Sequence, residues 1–246
     1  MRLHWLPVIV LSLVLIVATG HAATPDAEAG SRVFVPLAAG AACGPFRDGF
    51  DAPTGWYTGE RDGLLAELTG GEYRLLITQP GAVWFVGAPD CERLASTAAV
   101  DARWASQPGN FYGLLFGTAG RLDRSYLLAV NTDSRVWLVF EISDKGMELV
   151  TPPTASDAVR PAGEVNRLAA SRQGERIILS VNGVAVGELP DPAPGEPFGA
   201  GLAAATYTFR APADVRFDNF NHMGNGQRQA VGGEPRRHMM RPPVNR

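Results

Sequence analysis

From Phe46 to Phe220 apolar and polar side chains alternate with a period of two. Tyr73, Leu75 and Ile77 alternate with Glu72, Arg74, Leu76 and Thr78. Val100, Ala102 and Trp104 alternate with Asp101, Arg103 and Ala105. The same rhythm places Val136, Leu138, Phe140 and Ile142 against Trp137, Val139 and Glu141, and Ile177, Leu179 and Val181 against Arg176, Ile178 and Ser180. Successive side chains of a strand point to opposite faces, so each of these runs is predicted to form a strand with an inner and an outer surface. Outside the N-terminal apolar run, no stretch keeps a 3.6-residue period for ten residues.

Turn signals separate the runs. Asn182-Gly183 is the strongest, because both residues accept the positive φ that a two-residue hairpin requires. Thr132-Asp133-Ser134, Gln173-Gly174 and Gly70-Gly71 divide other runs, and the Pro-rich stretch from Thr151 to Pro161 is predicted to be a surface connection, with at most a turn of helix. About a dozen strands result. That number predicts an all-β, two-sheet antiparallel sandwich in a single domain.

The ends of the chain differ from its middle. Met1 to Trp5 holds one Arg, Leu6 to Ala18 is continuously apolar or nearly so, and Gly20-His21-Ala22 supplies small residues. This order predicts a secretory signal peptide over residues 1–22, cleaved after Ala22. Kept uncleaved, it would anchor the protein to a membrane. Residues 23–42 read as an Ala- and Gly-rich linker, in which Val33, Val35 and Leu37 offer a short edge strand. The sandwich is expected over 43–222, and 223–246 as a disordered basic tail. Export gives meaning to the two cysteines, Cys43 and Cys91. Outside the cytosol they are expected to pair in a disulfide, worth about 4 kcal/mol in the chain-entropy model.

Charge and residue usage then remove whole classes of function. Residues 23–222 carry 16 basic and 24 acidic side chains, the opposite of a nucleic-acid-binding balance. Of four histidines, His4 and His21 lie in the signal, His238 in the tail and His222 at the domain edge. A Ser-His-Asp or Cys-His constellation is therefore not expected, nor a His-based metal centre. Lys145 is the only lysine. Asp133, Asp144 and Asp157 fall in predicted loops but form no D-x-D-x-D-G calcium loop. No metal or other cofactor is expected.

Several short signatures follow one another in order. Phe46-Arg-Asp-Gly-Phe50-Asp51 opens the unit. Tyr112-Gly-Leu-Leu-Phe116, Asn166-Arg-Leu168 and Val181-Asn-Gly183 follow, and Phe217-Asp-Asn-Phe220 closes it. Over residues 46–221 this order resembles the LamG-like and 3-keto-disaccharide-hydrolase-like domains of the concanavalin A-like lectin/glucanase superfamily. The resemblance implies a jelly roll whose first and last strands, Phe46–Asp51 and Val215–Phe220, pair with each other. It also implies carbohydrate chemistry. Glucanases of the superfamily carry E-x-D-x-x-E on one strand, whereas this chain has Glu141-Ile-Ser143-Asp144 with Glu148 out of register.

A binding module is therefore expected ahead of an enzyme. Its partner would be a glycan or an extracellular protein. Sugars stack on aromatic rings while neighbouring polar groups take their hydroxyls. Trp137, Tyr126, Arg103, Asp101 and Glu141 are the candidate ligand-binding residues, lining one exposed sheet face. Trp104, Phe116 and Phe140 are expected in the core. Two alternatives stay open: a hydrolase of the same fold using a carboxylate pair, and a non-catalytic protein-interaction domain.

Overall fold

The computed structural model describes residues 32–34, 46–89, 95–106, 108–118, 125–143, 145–196 and 198–224. The signal segment, most of the linker, Cys43, Cys91, Asp144 and the basic tail beyond Gly224 lie outside them. The described residues form sixteen strands in two sheets, numbered here in chain order, and no helix.

One sheet has seven strands in the order β1-β6-β15-β8-β9-β10-β11. These are β1 (Arg32–Phe34), β6 (Val83–Gly87), β15 (Phe198–Ala205), β8 (Phe111–Thr118), β9 (Ser125–Asn131), β10 (Val136–Ser143) and β11 (Gly146–Ala155). All its pairings are antiparallel except β1 with β6. The other sheet has nine, in the order β14-β13-β12-β7-β16-β5-β4-β3, with β2 paired to β16. Its members are β2 (Phe46–Asp48), β3 (Gly59–Arg61), β4 (Leu64–Thr69), β5 (Glu72–Ile77), β7 (Ala95–Trp104), β12 (Asn166–Gln173), β13 (Arg176–Val181), β14 (Val184–Pro190) and β16 (Ala213–Gly224).

The two-residue alternation fills the space between the sheets. Tyr73, Leu75 and Ile77 from β5, Val100 and Trp104 from β7, and Val215 and Phe217 from β16 meet Tyr112, Leu114 and Phe116 from β8 and Leu128 and Val130 from β9. The expected burial of Trp104 and Phe116 is met. The other surface of the seven-stranded sheet carries a second apolar cluster, in which Phe85, Phe111, Leu115, Leu127, Leu138 and Ile142 are buried and Phe140 packs against them. Every member of that cluster belongs to the seven-stranded sheet.

The first and last strands pair as expected, with Phe46 opposite His222 and Asp48 opposite Phe220. The opening strand ends three residues earlier than the sequence indicates. Phe50 has a left-handed backbone (φ 56°), and the Asp48 carboxylate accepts the Phe50 N–H at 2.7 Å, turning the chain. The same carboxylate accepts the Trp56 indole N–H at 2.8 Å and the Thr54 hydroxyl. This seats Trp56 among Phe46, Phe50, Tyr73 and Phe220.

Two other expectations need correction. Sixteen strands replace the expected dozen; among the additions, β3 has only three residues, too few to show a period. The Pro-rich stretch is not wholly a connection: β11 runs through Pro152 and Pro153 to Ala155. It lies at the sheet edge and bonds only β10, with register shifts opposite Trp137–Phe140. Proline is tolerated at such an edge, where the missing N–H would face solvent.

Candidate functional site

The outer surface of the nine-stranded sheet is charged. β7 sends Val100, Ala102 and Trp104 inward, so Asp101 and Arg103 stand outside. β16 sends Val215 and Phe217 inward, so Arg216 and Asp218 stand outside. The register sets Asp101 opposite Asp218, and Arg103 opposite Arg216. Like charges directly opposite each other in antiparallel strands destabilise a sheet.

Neighbouring strands supply the compensating partners. Arg103 forms a forked pair with Glu72 of β5, at 2.9 Å to each carboxylate oxygen. Arg167 of β12 reaches Asp101 at 2.8 Å. Arg216 turns to Asp214 at 3.1 Å, and Asp214 is also held by Arg74 at 2.7 Å. Among the described residues no guanidinium bonds Asp218. Its carboxyl pKa is raised above the ordinary value, first by burial and then by the negative charges of Asp101, Glu72 and Asp51, against the opposing pull of the Asn219 N–H.

A β-bulge completes the site. The register of β16 against β7 shifts between Asp218 and Asn221, and Asn219 sits there with φ 50°. The left-handed region is uncommon for a residue other than glycine, though asparagine enters it more readily than most. Bulges re-aim side chains, and this one aims the Asn219 amide at Asp101, donating at 3.0 Å. Asn219 separates two depressions. One, of about 110 Å³, is lined by Glu72, Asp101, Arg103, Arg216 and Asp218, with Val165 at its rim. The other, of about 340 Å³, is lined by Arg47, Asp48, Arg167, Phe220 and Asn221. Together they form a cleft around Asn219 in which Arg103–Glu72 and Arg167–Asp101 are held as ion pairs.

The five candidate residues do not share one surface. Asp101 and Arg103 lie in this cleft. Tyr126, Trp137 and Glu141 belong to the seven-stranded sheet and point between the sheets. Trp137 is buried, and its ring lies against Gly187 of β14, where an added Cβ would come within 2.5 Å of it. Glu141 stands directly opposite Tyr126, whose phenol is pushed up by burial and then by the charges of Glu141 and Asp191. Tyr126 packs beside Phe116, with ring centroids 6.0 Å apart. Sequence reasoning missed Glu72, Arg167, Arg216, Asp218 and Asn219. The alternation that exposes Asp101 also exposes Arg216 and Asp218 and could have found them. The bulge at Asn219 leaves no mark in the sequence.

Sheet order, strand pairing and the joined ends define the concanavalin A-like jelly-roll sandwich. Solved structures agree on that fold. A carbohydrate-binding module of Bacillus subtilis, CBM66, is similar at 16% identity and a TM-score of 0.52, over 69% of this chain and 96% of that one. A β-glucanase of Bacillus licheniformis is similar at 14% identity and 0.50, over 74% and 98%. A Bacillus subtilis protein with a galectin-like fold is similar at 15% and 0.51, over 72% and 94%. No family model and no curated protein matches the chain.

Proposed function

We propose that this chain is a secreted carbohydrate-binding module that takes its ligand on the charged outer surface of the nine-stranded sheet. The observation that carries this reading is the bulge at Asn219, which brings a donor amide to Asp101 between two adjoining polar depressions. Carboxylates and guanidiniums already paired with one another present oriented lone pairs and N–H groups. A saccharide's hydroxyls can replace water there without unpairing a charge. Structural similarity to a carbohydrate-binding module and to a β-glucanase supports the ligand class.

The test is a glycan array followed by calorimetry on the bound oligosaccharides. Asp101→Asn and Arg103→Ala are each expected to weaken binding about tenfold, or about 1.4 kcal/mol, without changing the melting temperature by more than about 2 °C. Unchanged affinity in both variants would remove the cleft from the account. Turnover of a bound saccharide would instead favour the hydrolase reading, for which Asp101 and Asp218 are the facing carboxylates.

Export and the Cys43–Cys91 disulfide belong to the same proposal. Peptide mapping without reduction should recover the two cysteines in one linked peptide. Two free thiols would remove the disulfide and leave the sandwich reading intact.

A further inference from the structure

The connection between β15 and β16 holds the most exposed large apolar side chain among the described residues. Phe209 is 80% exposed, at the tip of a tight turn in which Tyr207 and Arg210 bridge. The turn is braced at its start by residues 79–82. The Tyr207 carbonyl accepts the N–H of Gly81 at 2.9 Å and that of Arg210 at 3.3 Å. The Thr206 hydroxyl donates to the Gln79 carbonyl at 2.6 Å and accepts the Ala82 N–H at 3.0 Å.

The rings themselves are also fixed. Phe209 stacks on Tyr207, with centroids 5.1 Å apart and planes 20° from parallel. The Arg210 guanidinium lies over the Tyr207 ring at 4.7 Å. The Tyr207 hydroxyl accepts the Asn131 side-chain N–H at 2.8 Å. Asp133, from the turn after β9, accepts Arg210 at 3.1 Å and faces the Tyr207 hydroxyl at 3.4 Å. A held ring loses little conformational freedom on binding, so its contact area converts efficiently into affinity.

We propose that the exposed face of Phe209, backed by Tyr207, is a stacking platform for one pyranose ring, with Asp133 and Arg210 holding Tyr207 in place. The size of the apolar surface decides between a sugar and a protein. A protein interface buries about 1,200 Å² or more, whereas one aromatic side chain offers about 200 Å². The other exposed large apolar residues, Leu149, Val150, Val165 and Val184, lie on β11, before β12 and on β14, away from this turn in the chain. A single flat apolar face of this size matches the CH face of one hexopyranose. The platform shares no residue with the Asn219 cleft and forms a second contact for a saccharide chain. It rests on the carbohydrate-binding reading.

Binding of cellohexaose, xylohexaose and a β-galactan hexasaccharide by the whole secreted chain tests it, using wild type, Phe209→Ala, Phe209→Trp and Asp101→Asn. Phe209→Ala should weaken at least one of these about tenfold and leave the melting temperature unchanged. Phe209→Trp should retain binding. Wild-type binding that Phe209→Ala leaves intact overturns the platform, and if Asp101→Asn weakens it the cleft still stands. A wild type that binds none of the three overturns the platform as stated; if a wider glycan array is also silent, the carbohydrate reading falls with it.

Discussion

Replacing Asp191 by alanine is expected to lower the free energy of unfolding by about 3–5 kcal/mol, read as a fall in the denaturant midpoint. Asp191 and Arg172 form an ion pair at the end of the space between the sheets, with side chains 0% and 8% exposed. Arg172 leaves β12 on its inner face. Its guanidinium lies 4.9 Å from the Phe198 ring centroid and donates to the carbonyls of Glu196 at 2.7 Å and Ala193 at 3.1 Å. It thereby ties the connection after β14 to the core. Without Asp191, a cation stays in low dielectric with only dipoles to satisfy it. Removing both charges together, as Arg172→Met with Asp191→Leu, should cost much less than the single change. A single variant within about 0.5 kcal/mol of wild type would mean that the pair is solvated as surface pairs are.

Asn166→Ala is expected to cost about 2–4 kcal/mol, measured by the same denaturation. Asn166 is fully buried at the start of β12. Its carbonyl oxygen accepts the Arg160 N–H at 2.8 Å and the Asn182 amide at 2.9 Å. Its own amide donates to the Tyr112 hydroxyl at 2.9 Å and the Arg160 carbonyl at 3.2 Å. Asn182, at φ 51° in the hairpin turn with Gly183, passes the network to Ala158 and Arg167. Alanine would strand several buried groups at once, each costing about 1–3 kcal/mol when left unmade. Partial rescue by water brings the sum down. A loss below about 1 kcal/mol would show that water replaces the side chain fully.

This network explains what the ordered motifs mean. Asn166 and Asn182 come from two of the signatures that carry the superfamily resemblance, and both are spent on holding the 156–166 connection. Asp48, from the opening signature, is spent on the Phe50 turn and on Trp56. Phe217 and Phe220, from the closing one, lie in the core. Those motifs were therefore able to specify the fold while saying little about the ligand.

The sheet faces show where sequence reading stops. In the nine-stranded sheet one side is apolar and the other charged, so alternation alone placed Asp101 and Arg103 outside. In the seven-stranded sheet both sides are apolar. β9 sets Leu127 and Ala129 against Leu128 and Val130, and β10 sets Leu138 and Ile142 against Trp137 and Val139. A period of two says which residues share a face but not which face looks inward. Trp137, Tyr126 and Glu141 do share one, and it faces the other sheet. The three-residue β3, the prolines in β11 and the bulge at Asn219 were illegible because tertiary context fixes each of them.

Saccharide binding in the Asn219 cleft is tested by backbone amide shifts during titration with a hexasaccharide bound by the wild type. The largest changes are expected at Glu72, Asp101, Arg103, Asp218 and Asn219, with their loss in Asp101→Asn. Shifts that leave all five unmoved while a saccharide demonstrably binds would contradict it.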